Sequence, residues 1–158
     1  MYKVDDLLVY KKDLCRVKEI KYKYLRNTDY YVLSPITDDS LKIQVPVDSK
    51  VIRNIISKEE TNKIINTIPN IDIIKSDAKT LENEYKTLMQ NGTHEDLIKI
   101  IKTTYLRNEE RIANNKKTID KDNYYFNQAE SYLYQEFAIS LNMPYNEVKQ
   151  YIIDTLSK

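Results

Sequence analysis

The sequence predicts an α+β protein in which a small β-barrel comes first and an all-helical region of about five helices follows. Three observations lead there. Up to about residue 51, apolar residues recur at every second position and short polar turns separate the runs. Beyond Val51 the apolar spacing changes to three and four, and helix-capping pairs appear. The two kinds of pattern are segregated along the chain, which predicts two domains, 1–52 and 53–158.

The clearest strand pair spans Tyr30 to Asp48. Tyr30 to Leu33 is an unbroken β-favouring run, and Leu41, Ile43, Val45 and Val47 alternate with Lys42 and Gln44. Thr37-Asp38-Asp39-Ser40 between them supplies turn chemistry, because Asp and Ser side chains bond nearby backbone amides. Upstream, Val4 to Tyr10 reads as a first strand, Lys11-Lys12-Asp13 as a turn and Val17 to Tyr24 as a second strand, with Leu25 to Asp29 breaking the pattern. A sheet of four or five short strands is best closed into a barrel, which removes its exposed edges.

Downstream, Ser57 and Glu60 form a capping-box pattern, and the helix they open ends at Pro69. Ser76 caps a second helix carrying Leu81, Tyr85 and Leu88, and Gly92, the single glycine, stands where a left-handed C-terminal cap is wanted. Thr93 and Asp96 open a third, with Leu97, Ile98, Ile101, Tyr105 and Ile112 on one stripe. After the polar break Asn114 to Lys117, Thr118 or Asp120 opens a long helix through Tyr125, Ala129, Tyr132, Leu133, Phe137 and Leu141. Pro144 suits the first turn of a last helix with Val148, Tyr151, Ile152 and Leu156.

Composition narrows the function classes. Charged residues at 31% and apolar residues at 41% describe a folded chain. A net charge of +1 gives no overall field for nucleic acid, so any such contact rests on a local patch. No apolar run approaches the ~18 residues of a membrane span, and the polar start does not read as a secretory signal, which makes the cytoplasm the expected location. Cys15, His94 and Gly92 are each the sole residue of their kind. Thiolate metal clusters, Ser-His-Asp catalysis and glycine-rich phosphate loops are therefore not expected, and neither is a cofactor or enzymatic activity. Cys15 reads as a small buried hydrophobe and His94 as a solvated or capping residue at a helix start. Most tyrosines sit at core spacing, but Tyr22 and Tyr24 alternate with Lys21 and Lys23 as on a contact surface. Arg107, Arg111, Lys116, Lys117 and Lys121 form a local basic excess that can meet phosphates.

Tyr30-Tyr31-Val32-Leu33, then Leu41-Lys42-Ile43 and Val45-Pro46-Val47-Asp48, closing on Ile52-Arg53, resembles the CarD/CdnL family of bacterial transcription regulators. The start, Lys3-Val4-Asp5-Asp6 with Val9-Tyr10, and Leu106-Arg107-Asn108-Glu109-Glu110 further on, look like the family's opening strand and Arg-Asp motif. The family's N-terminal domain is similar to the polymerase-binding module of transcription-repair coupling factor. The resemblance implies a Tudor-like barrel that binds the RNA polymerase β subunit, partly by strand addition, with Lys23, Tyr24, Lys42 and Gln44 as contacts. It implies a helical domain that holds promoter DNA at the upstream edge of the open bubble, with Lys75, Lys79, Arg107, Arg111, Lys117 and Lys121 as contacts. No membrane partner is expected without an apolar span, and a small barrel on a hinge is expected to be either a monomer or a strand-exchanged, domain-swapped dimer. The chain departs from the family in two places. It has no tryptophan to wedge against the bubble; the corresponding place is near Asp77 or Ala78, with Ile73 and Ile74 the nearest apolar residues. The family's Pro-x-His-Gly turn is replaced by Lys11-Lys12-Asp13. The alternative function is a protein-interaction adaptor with no DNA contact.

Overall fold

The computed structural model describes residues 1–158 and divides into two compact units, Met1–Ile56 and Ser57–Lys158. The first holds strands β1 (Leu7–Tyr10), β2 (Asp13–Leu25), β3 (Thr28–Pro35), β4 (Ile43–Pro46) and β5 (Ile52–Arg53). A boundary between residues 52 and 53 would divide β5. The strands form one antiparallel sheet in the order β4-β3-β2-β1-β5. The expected closure into a barrel is not formed. β4 and β5 stand at opposite edges with four and two residues, and Pro46 brings no N–H to a further ladder.

Each hairpin is built without glycine. Lys11 (φ 59°) turns β1 into β2, pairing Tyr10 with Asp13. Arg26 and Asn27, both left-handed (φ 50° and 59°), turn β2 into β3 with Leu25 opposite Thr28. Two left-handed central residues define the type I′ geometry that matches strand twist. The expected break at Leu25 to Asp29 is thus a tight hairpin, and β2 runs from Asp13 rather than Val17. The β3–β4 pairing joins Tyr31 to Val45 and Leu33 to Ile43. Its turn uses the Asp38 carboxylate, which accepts from the Ser40 backbone N–H (3.2 Å) and hydroxyl (2.6 Å). Leu41 does not join the apolar row: it lies outside β4, exposed, while its carbonyl accepts from the Ser34 hydroxyl at 2.7 Å.

Leu8, Cys15, Val17, Tyr31, Leu33 and Val45 make the core of this unit. Burial pushes the Cys15 thiol up to about 12. The folded chain holds that proton where the unfolded chain, with an ordinary value of 9.0, releases it, so stability should fall as pH rises from about 9 towards 12. At pH 8 a thiol-reactive reagent should leave native Cys15 unmodified and label it after denaturation. Rapid labelling of the native protein would contradict the buried position.

The second unit holds α1 (Lys58–Thr67), a 3-10 turn at Ile68–Asn70, α2 (Ala78–Asn91), α3 (His94–Ala113), α4 (Asp120–Leu141) and α5 (Tyr145–Leu156). Ser57–Glu60 and Thr93–Asp96 are reciprocal capping boxes, and Gly92 is left-handed at φ 64°. The α2 cap is Asp77, not Ser76: its carboxylate accepts from Thr80 N–H, which holds its pKa below the ordinary value. The helix that carries the core is α4, which packs against α1, α2, α3 and α5. Tyr125, Ala129, Leu133, Phe137, Ala138 and Leu141 are buried along it, on more than one face. The α3 stripe differs from expectation beyond Ile101. Tyr105 and Ile112 are exposed, and the buried face of α3 runs through Leu97, Ile98, Ile100, Thr103 and Thr104. No helix is long and apolar enough to cross a membrane.

Candidate partner-binding and nucleic-acid surfaces

In the sheet unit, the chemistry-bearing residues collect at the β2–β3 hairpin and the β4 edge. Lys23 adopts φ 48°, inside an irregularity where the ladder shifts register between Lys21 and Leu25. Its N–H donates to the Asp29 carboxylate at 2.8 Å, which pins the bulge and leaves the Lys23 side chain in solvent. Tyr22, Tyr24 and Leu25 are 69%, 43% and 51% exposed, so the hairpin projects an apolar and cationic tip beyond the core. The Tyr24 ring is held, not loose. It meets Tyr30 edge-on at 5.6 Å and carries the Lys21 ammonium 4.5 Å above its centre.

Register ties that tip to the edge strand. Tyr30 is opposite Lys21 on one side and Pro46 on the other, and Val32 is opposite Glu19 and Gln44. Tyr31, Leu33 and Val45 point into the core, so by strand alternation Tyr30 and Gln44 share the outer face. Gln44 is exposed on the unpaired side of the sheet. Lys42 behaves differently: its ammonium donates to the Ser34 hydroxyl (3.3 Å) and the Asp39 carbonyl (3.2 Å), closing the β3–β4 loop. Of the four residues expected to touch a protein partner, Lys23, Tyr24 and Gln44 are each exposed, and Lys42 braces the β3–β4 loop.

In the helical unit the six expected phosphate contacts do not form one patch of free cations. Arg107 and Arg111 share a face of α3, but Arg107 Nε donates to the Asp122 carboxylate at 2.9 Å. Asp122 is 2% exposed and accepts a second bond, 3.1 Å long, from the Tyr85 hydroxyl. Burial and that carboxylate together push the Tyr85 hydroxyl above its ordinary range. Arg111 Nε donates to the Lys117 carbonyl at 2.5 Å, tying down the loop after α3. Lys121 pairs with Glu82 of α2 at 2.6 Å and holds that carboxyl below its usual value. Lys75, Lys79 and Lys117 are exposed. Lys75 borders an open cleft of about 500 Å³ with Ile73, Leu88 and Lys99. Of the two apolar residues nearest the missing tryptophan, Ile74 is buried, with its N–H on the Thr103 hydroxyl at 2.9 Å, and Ile73 is half-buried.

His94 is neither solvated nor the cap. Thr93 caps α3, and His94 Nε2 meets the buried Glu136 carboxylate at 2.8 Å while its ring stacks against Phe137. Sequence reasoning missed Asp122, Tyr85, Glu82 and Glu136 as partners of the cations and of His94. No spacing signal exists for them, because each pair joins different helices. Compared with known proteins, the chain matches no protein-family model and no curated protein.

Proposed function

We propose that this chain is a non-enzymatic transcription regulator of the CarD/CdnL type. In this reading its sheet unit, as a Tudor-like module, binds the RNA polymerase β subunit, and its helical unit contacts upstream promoter DNA. The observation that carries the reading is the outer surface of the sheet unit. Lys23 and Tyr24 project from a braced hairpin, Tyr24 packs on Tyr30, and Gln44 stands on the adjoining unpaired edge. Such a surface offers a partner both side-chain contacts and a strand to pair with, although Pro46 restricts the ladder to a short register. The mechanism is a population shift: tighter binding to the open promoter complex than to the closed one slows collapse of the bubble.

Immobilised polymerase β lobe should retain the purified full chain, and Lys23→Glu combined with Tyr24→Ala should abolish retention without altering the far-UV spectrum. Both side chains are exposed, so the double change leaves the core intact. Absence of retention by the unaltered chain at low salt would sink the reading. A second reading, a protein-interaction adaptor with no DNA contact, is favoured by the internal partners of Arg107, Arg111 and Lys121. The two part at DNA: the regulator retains duplex DNA at low salt and the adaptor does not.

A further inference from the structure

We infer that the polar cleft at the end of α3 is a phosphate-binding site, with Arg107, Arg111 and Lys116 as its cationic walls. The cleft has a volume of about 190 Å³ and is lined by those three with Glu110 and Asn114. Its construction distinguishes it from a solvated basic face. Both guanidiniums are anchored through Nε, Arg107 on the buried Asp122 and Arg111 on the Lys117 carbonyl. Neither has another hydrogen bond within the protein, so the terminal nitrogens of both forks remain available at one cleft. A guanidinium gripped at Nε has lost most of the freedom that makes exposed cation contacts weak, and its two Nη groups match the paired oxygens of a phosphate. Lys116 is positioned by the loop, its own N–H donating to the Arg111 carbonyl at 2.8 Å. Three cations face one lining carboxylate, Glu110, with Asp122 behind Arg107, so the site keeps a net positive charge. Asn114 does not compete, since its amide donates to the Glu110 carbonyl at 2.8 Å.

The chemistry selects a phosphate oxyanion, which either a nucleic-acid backbone or a free phosphate supplies; in its backbone form the inference rests on the promoter-contact reading. Inorganic phosphate is the first probe, added to the full chain against chloride at matched ionic strength. The Nε–H signals of Arg107 and Arg111 and the Lys116 amide should shift in nitrogen-edited spectra. Lys116→Ala should weaken the response, and Glu110→Gln should strengthen it about two- to fivefold by removing the opposing charge. Arg107→Ala is avoided because it strands Asp122; Arg111→Lys, which keeps the charge and loses the fork, is the second variant and should also weaken the response. The second arm titrates duplex DNA over a range of salt, where Lys116→Ala should lower the slope of log affinity against log salt by about one. A phosphate response with an unchanged DNA slope supports the site and assigns it to a free phosphate, removing it from the promoter contact. The absence of both phosphate-specific shifts and a changed DNA slope overturns the inference, whatever the outcome of polymerase retention.

Discussion

Arg107→Ala should destabilise the helical unit by about 3 kcal/mol in urea unfolding followed by far-UV ellipticity. The reason is the carboxylate left behind. Asp122 is 2% exposed, and its charge inside the helices is tolerated because Arg107 and Tyr85 reach it at 2.9 and 3.1 Å. Removing the arginine leaves a buried anion with one neutral donor, and that desolvation cost exceeds the net worth of the pair. Tyr85→Phe, which deletes one neutral hydrogen bond and keeps the ring, should cost about 1 kcal/mol. Replacing both charges together, Arg107→Met with Asp122→Leu, should cost much less than Arg107→Ala alone. A loss below about 1 kcal/mol for Arg107→Ala would mean that water reaches Asp122 and that the pair is not the strut described.

Phe137→Ala should cost about 4 kcal/mol by the same measurement. Phe137 is fully buried on α4, the helix that packs against the other four, and truncation empties space that surrounding helices cannot fill by moving together. Tyr105→Ala is the contrasting control. It sits on a sequence stripe of similar quality but is 49% exposed, so its loss should stay within about 0.5 kcal/mol. Equal losses at the two positions would show that the α3 stripe is covered in solution.

Much of the local architecture was legible in the chain, for a reason that separates the successes from the failures. The capping boxes Ser57–Glu60 and Thr93–Asp96 and the Asp38–Ser40 turn satisfy backbone groups with side chains two or three residues away, and the left-handed Gly92 closes α2 by donating its own N–H to the Leu88 carbonyl. Such bonds exist whatever else the chain does, so spacing alone reveals them. The same holds for the alternation of Ile43, Val45 and Val47. It fails for the Arg26-Asn27 hairpin, whose left-handed residues lack the glycine that usually marks this turn.

The candidate surfaces divide in the same way. Lys23 and Tyr24 could be picked out because aromatic and cationic residues alternate from Lys21 to Tyr24, and the hairpin leaves them exposed. The cations of the helical unit could be counted but not assigned. Arg107 looked like a free charge until α4 brought Asp122 beside it, and Lys121 until α2 brought Glu82.

By itself, then, the sequence determined the order of strands and helices, the capping boxes at Ser57 and Thr93, and the cationic and aromatic residues from which any binding surface must be built. Only the tertiary structure decided that the sheet stays open, that Tyr105 and Ile112 face solvent, that His94 meets Glu136, and which cations keep free donors. Local hydrogen bonding is set by neighbours along the chain. The partner of a charge is set by which helices meet, and that depends on how all the apolar faces are buried together.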